Sequence, residues 1–141
     1  MRSARRALLC LVAVAGLMAP APSLAGETED AAIAAARSWL ALVDSGSDSK
    51  SWAEAAAYFK GAVSESQWAQ QIRAVRGPLG AVRSREVTAA QHMTSLPGAP
   101  DGEYVVIQLA TSFANKAKAV ETVTPMKDPD GTWRVSGYYI R

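Results

Sequence analysis

Gly131-Thr132-Trp133-Arg134-Val135-Ser136-Gly137-Tyr138-Tyr139-Ile140-Arg141 closes the sequence. Aromatic and β-branched residues dominate it, and such residues favour a pleated, packed surface over water. The stretch therefore reads as an interior strand, with Trp133 buried and the preceding elements packed around it.

Working outward, Lys127-Asp128-Pro129-Asp130-Gly131 is turn chemistry, and residues 119–126 form another strand candidate. Asn115-Lys116-Ala117-Lys118 separates it from the clearest strand, residues 103–113. There Val105, Ile107, Leu109, Thr111 and Phe113 share one face; Tyr104, Val106, Gln108, Ala110 and Ser112 share the other. A Pro-Gly-rich loop, residues 96–102, precedes it, and residues 81–95 read as a long strand with a bulge. Short connections make neighbours antiparallel, so the second half is a four-strand meander.

The first half is helical. Ala32, Ile33, Ala36, Leu40 and Val43 recur at helical spacing within residues 27–43, with Trp39 at the edge of that face. Ser51-Trp52-Ala53-Glu54 and Ser64-Glu65-Ser66-Gln67 match capping boxes, each opening a further helix. Helices first and strands afterwards mean α+β: about three N-terminal helices packed on a curved four-stranded antiparallel meander.

The front end has a different character. Arg2, Arg5 and Arg6 precede an uncharged apolar run, residues 7–18, followed by Ser23-Leu24-Ala25. This is the layout of a cleaved secretory signal, and the run is shorter than the roughly 20 residues that span a bilayer. The expected organisation is a signal peptide at 1–25 and one domain at 26–141, periplasmic or secreted, with no stable membrane insertion after cleavage. Removing three arginines from 15 basic residues leaves 12 against 13 acidic ones, a net charge of −1. That balance gives no electrostatic footprint for nucleic acid. Cys10, the only cysteine, leaves with the signal, so no internal disulfide is expected.

Chemistry-bearing motifs are sparse. His92 is the only histidine, and without a second histidine or a retained cysteine a closed zinc site has no ligand set. Ser47-Asp48-Ser49-Lys50 matches the Ser-x-x-Lys of penicillin-binding enzymes, but the partner motifs Ser-Asp-Asn and Lys-Thr-Gly are absent. Asp128-Pro129-Asp130-Gly131 opens like a calcium loop, yet Thr132 and Tyr139 occupy the fifth and twelfth positions. No catalytic set, metal or cofactor follows. Glu86, Glu103 and Glu121 are strand carboxylates. Glu121 stands out, because it interrupts an otherwise uncharged strand; its ordinary reading is a solvent-facing residue paired with Arg134. A candidate pocket on the sheet would use Glu121, His92, Tyr138, Tyr139 and Trp133, with at most one of the adjacent tyrosines facing inward. Arg73, Arg76, Arg83 and Arg85 read as a solvated basic surface.

Ser38-Trp39-Leu40-Ala41-Leu42-Val43-Asp44, Trp68, the Pro97-Gly98-Ala99-Pro100-Asp101-Gly102 loop, Thr111-Ser112-Phe113 and the terminal Trp133-to-Tyr139 stretch together resemble a bacterial exported family, domain of unknown function 4019. The resemblance spans nearly all of residues 26–141 and implies no reaction, cofactor or catalytic residue. The element order is also similar to the cone-shaped nuclear-transport-factor-like or cystatin-like α+β class, a fold analogy that selects no function. Two roles follow. The favoured one is a non-enzymatic binding or assembly module of the cell envelope, as a homodimer or with an envelope protein, touching its partner through Val106 and Ala110. The alternative is a small pocket enzyme for proton transfer or hydration. A third, weaker role is an inhibitor that plugs a partner's groove with the 96–102 loop.

Overall fold

In the computed structural model, which describes residues 24–141, the apolar face at Ala32, Ala36, Leu40 and Val43 belongs to helix α1 (Leu24–Asp44). Residues 1–23 lie outside the described residues, and with them nearly all of the expected signal peptide. Three more helices follow, α2 (Asp48–Ala53), α3 (Ala57–Ala62) and α4 (Glu65–Leu79). The helix expected to open at Ser51 is therefore replaced by two short ones, and the described residues hold four helices.

The break has a packing cause. Ala56 is extended (φ −60°, ψ 150°), and its N–H donates 2.8 Å to Val135 O on the last strand. Ala55 and Ala56 are fully buried where the chain dips onto the sheet. Ser51 is no cap: it lies inside α2, and its Oγ donates to Asp48 O at 2.8 Å. The Ser64 capping box is formed, with Gln67 N donating to Ser64 Oγ and Ser64 N donating to Gln67 Oε1.

Strands β1 (Val82–Met93), β2 (Tyr104–Phe113), β3 (Lys116–Lys127) and β4 (Trp133–Ile140) form one antiparallel sheet in that spatial order. β1 has register irregularities between Val82 and Ser84 and between Val87 and Ala89. β3 starts earlier than its composition suggests, because Phe113 faces Lys116 and only residues 114–115 turn the chain. The meander places β4 at the sheet's edge rather than in its interior. β2 and β3 are the central strands, and β4 is packed by α1 and α3 instead of by strands on both sides.

Gly80 joins the layers. Its φ of +75° suits glycine, and an added Cβ would lie 3.1 Å from the Ala114 Cβ. The β2–β3 hairpin docks here: Asn115 N donates to Leu79 O at 2.9 Å and Asn115 Nδ2 to Pro78 O at 3.1 Å. These bonds satisfy carbonyls that the end of α4 leaves unpaired.

The core fills the space between α1, α2, α4 and the inner sheet face. Val105, Ile107, Leu109 and Val123 meet Trp39, Leu40, Trp68 and Ile72. The Trp39 and Trp68 rings lie 5.6 Å apart, with Phe59 edge-on to Trp68 at 5.1 Å. Ser51 holds both indoles, since its carbonyl accepts from Trp39 Nε1 (2.8 Å) and its Oγ from Trp68 Nε1 (2.9 Å). Trp133, expected inside, is only half-buried against the edge of this cluster.

Trp39→Ala should therefore lower unfolding free energy by about 3–5 kcal/mol in chemical denaturation, the usual cost of emptying an aromatic site in a core. Trp133→Ala should cost clearly less, and equal losses for the two variants would contradict this division of the core.

Candidate functional site

Alternation along β3 puts Glu121 in phase with Ala119 and Val123, both of which face the helices. Its side chain is 0% exposed. A carboxylate taken out of water needs donors, and four are supplied. Arg85 Nε donates to Oε1 at 2.6 Å and Nη2 to Oε2 at 3.1 Å. Thr111 Oγ1 donates to Oε1 at 2.5 Å, and the Tyr138 hydroxyl donates to Oε2. β1, β2 and β4 thus each place one donor side chain, Arg85 giving two of the four bonds, around a carboxylate carried by β3.

Arg85 continues the chain toward the helices. Its Nη1 donates to Asp44 Oδ2 at 2.7 Å and its Nη2 to Asp44 Oδ1 at 3.1 Å, tying β1 to the last residue of α1. Asp44 Oδ1 also accepts from Arg76 Nη2 of α4 at 2.8 Å. The Arg76 guanidinium lies 5.0 Å from the centre of the Phe113 ring, and its Nε and Nη1 are buried with no hydrogen-bond partner. The result is a continuous polar seam, Tyr138 and Thr111 to Glu121 to Arg85 to Asp44 to Arg76, through an otherwise apolar interface.

The seam sets its own ionisation. Burial alone would push the Asp44 pKa up, but hydrogen bonds and charge from Arg85, then Arg76, outweigh it and hold the carboxyl below its ordinary value. Burial drives the Arg85 pKa down, and Asp44 and Glu121 more than reverse this, so the guanidinium stays charged. The Tyr138 phenol is pushed well above its ordinary value, first by burial and then by the adjacent Glu121 charge, so it is held as a neutral donor.

The residues read together from sequence do not all converge. Glu121 and Tyr138 are in contact, and Tyr139 points to the opposite face, 53% exposed. Trp133 sits five residues from Tyr138 along β4, and Lys127 is its cross-strand partner. His92 pairs with Val105, whereas Glu121 pairs with Leu109; four residues of strand, roughly 13 Å, separate those positions. His92 Nε2 lies 3.5 Å from Glu103 Oε1 at the far end of the sheet. Arg134 does not pair with Glu121; it clamps Asp128 (3.0 Å) and Asp130 (2.9 Å) across the β3–β4 turn. Glu86 is exposed on the outer face.

Arg76 and Arg85, expected on a solvated basic surface, are instead largely buried; Arg85 and Thr111 bond Glu121, and Asp44 joins the two arginines. Two signals carried the information. Arg85 is in phase with Val87 on β1, and Thr111 lies on the otherwise apolar face of β2. A charge or hydroxyl in phase with buried positions on neighbouring strands marks a common interior site.

Chemically the Glu121 end of the seam is closed. Both oxygens of Glu121 already accept two bonds, so no lone pair is left to take a proton from a substrate. A groove of about 190 Å³ between α4 and β4 is lined by Trp68, Ile72, Val75, Tyr138 and Ile140, and a cleft of about 520 Å³ opens beside Asp44, Arg76 and Gly80. Neither is lined by Glu121. Among the described residues no group of three His, Cys, Asp or Glu side chains could hold a metal ion, and no helix is long and apolar enough to cross a membrane.

Residues 35–138 match the family model described as protein of unknown function (DUF4019). No curated protein and no solved structure matches the chain.

Two outcomes test the seam. Glu121→Gln places an amide against three donors and removes a charge facing Arg85, so denaturation should show a loss of about 3–5 kcal/mol. Asp44 is depressed in the folded state, so its contribution is present above the unfolded pKa of about 3.9 and fades as pH falls through the folded value. Asp44→Asn should therefore flatten the loss of stability below about pH 4; an unchanged acid limb would show that Asp44 does not drive it.

Proposed function

The chain belongs to the protein family of unknown function DUF4019, and from its surfaces we propose that it is an exported binding or assembly module of the cell envelope, not an enzyme. The observation that carries this reading is the contrast between the two sheet faces. The inner face is filled, and its one buried carboxylate is saturated. On the outer face the 96–102 loop packs over one end, where Leu96 and Ala99 meet the buried Tyr104, but the rest presents Ala110, Val120 (38% exposed) and Tyr139 to solvent. Exposed apolar side chains grouped on one surface suit association with another protein. Val106, also on this face, is half-buried.

Export rests on the charge and hydropathy layout of residues 1–25. The first described core residue is Ala32, so cleavage after Ala25 would leave the packed interior intact. A pocket enzyme working through Glu121 would have to break a bond to Arg85, Thr111 or Tyr138 before accepting a proton, and this disfavours the alternative.

In-cell photo-crosslinking separates these readings. A photoreactive residue at Ala110 should give a discrete product, identified by mass spectrometry as one protein, whereas one at exposed Lys50 on the helical layer should not. The protein should accumulate outside the cytoplasm with Gly26 as its first residue. Products from position 50 but not 110, or an uncleaved cytoplasmic chain, would overturn the proposal.

A further inference from the structure

One row of side chains crosses the whole outer face of the sheet. Glu86 of β1 is the cross-strand partner of Ala110 in β2, and Ala110 is the partner of Val120 in β3. Val120 and Arg141 exchange both backbone hydrogen bonds, N–H to O at 2.8 and 3.0 Å. The row therefore reads Glu86, Ala110, Val120, Arg141: an acid at one edge, two small apolar residues in the middle, a base at the other edge. All four are exposed, and all four line one shallow cleft of about 460 Å³. No ion pair within the chain engages Glu86 among the described residues, and the guanidinium of Arg141 lies 6.0 Å from the Tyr139 ring centre on the same face.

A row with this order is complementary to itself reversed. We propose that the occupant of this face is a second copy of the chain, packed sheet to sheet about a two-fold axis running close to the strand direction between Ala110 and Val120. This inference rests on the binding-module reading and names its partner. The axis exchanges the two edges of the row. It places Glu86 of each copy opposite Arg141 of the other and Ala110 opposite Val120, as an isologous interface requires. The next row behaves the same way. Ala89, Gln108, Thr122 and Tyr139 are successive partners, so the protruding Tyr139 ring of one copy meets the small Ala89 of the other, while Thr122 lies buried beneath its neighbours. Aligned packing of twisted sheets accommodates this arrangement at an inter-strand angle near 30°.

The size of the face sets the strength. Four strands at about 4.8 Å spacing and about ten residues at about 3.3 Å give roughly 500–600 Å² per copy. The total lies at the low end of specific interfaces, so the dimer should be a weak one that forms in the micromolar range. Its two rim ion pairs should set orientation and salt dependence more than raw affinity.

The test is sedimentation velocity on the protein as it accumulates in cells, over a concentration series at low and high salt. The parent should dimerise, more weakly as salt rises. Glu86→Arg and Arg141→Glu should each weaken dimerisation about tenfold or more, because each reversal places like charges together twice per dimer. The double variant Glu86→Arg/Arg141→Glu restores both pairs and should return to within about threefold of the parent. A parent that stays monomeric, or a folded double variant as weak as the singles, overturns the dimer. If crosslinks from position 110 then identify a different protein, the binding-module reading stands without it.

Discussion

The ion pair between Glu121 and Arg85 is the constraint around which the two layers are arranged. An isolated carboxylate in an apolar interior is heavily penalised, so its position is tolerated only where donors converge on it. Convergence requires β1, β2 and β4 to hold fixed registers relative to β3. Because Arg85 also grips Asp44 at the end of α1, the same requirement fixes the helical layer over the sheet. Apolar contacts supply most of the driving force for burial, but they are not directional. The polar seam adds direction, since a slip of one residue along β3 would turn Glu121 outward and leave Arg85 facing aliphatic side chains.

The seam also explains why a tyrosine beside a buried carboxylate need not signal catalysis. In an acid–base site the two groups have spare hydrogen-bonding capacity and a route to a ligand. Here the Tyr138 hydroxyl donates a hydrogen bond to Glu121, Trp39 packs against its ring at 5.3 Å, and the carboxylate has no remaining acceptor position. The arrangement resembles a structural rivet more than a reaction centre. The outer face offers the opposite: exposed Ala110 and Val120 standing between Glu86 at one edge and Arg141 at the other.

Much of the fold could be read from residue order. Strict alternation in β2 assigned its two faces correctly, and the Ser64–Gln67 pair marked the start of α4. Local pattern failed where tertiary contact decides. The break after α2 depends on Ala56 reaching Val135, a residue 79 positions later, and no local signal announces it. The terminal strand was read as interior because its composition is that of a core strand; its burial comes from helices lying over its face, which composition cannot distinguish from flanking strands. For the site, the periodicity of β3 already placed Glu121 in phase with buried residues. Its partners were hidden because the irregularity at Val82–Ser84 separates Arg85 from Arg83, and a pair that looks like one solvated patch is split between interior and surface.

The way Ser51 holds two indoles has a spectroscopic corollary. Trp39, Trp52 and Trp68 all place their ring N–H groups on acceptors within the helical half, at Ser51 and Val63. Only Trp133 stands on the sheet. Ultraviolet emission from this protein is therefore weighted toward the seam between α1, α2 and α4. A loosening of strand ends that left those indoles packed would be reported among the tryptophans by Trp133 alone, while far-ultraviolet dichroism would register it across the sheet.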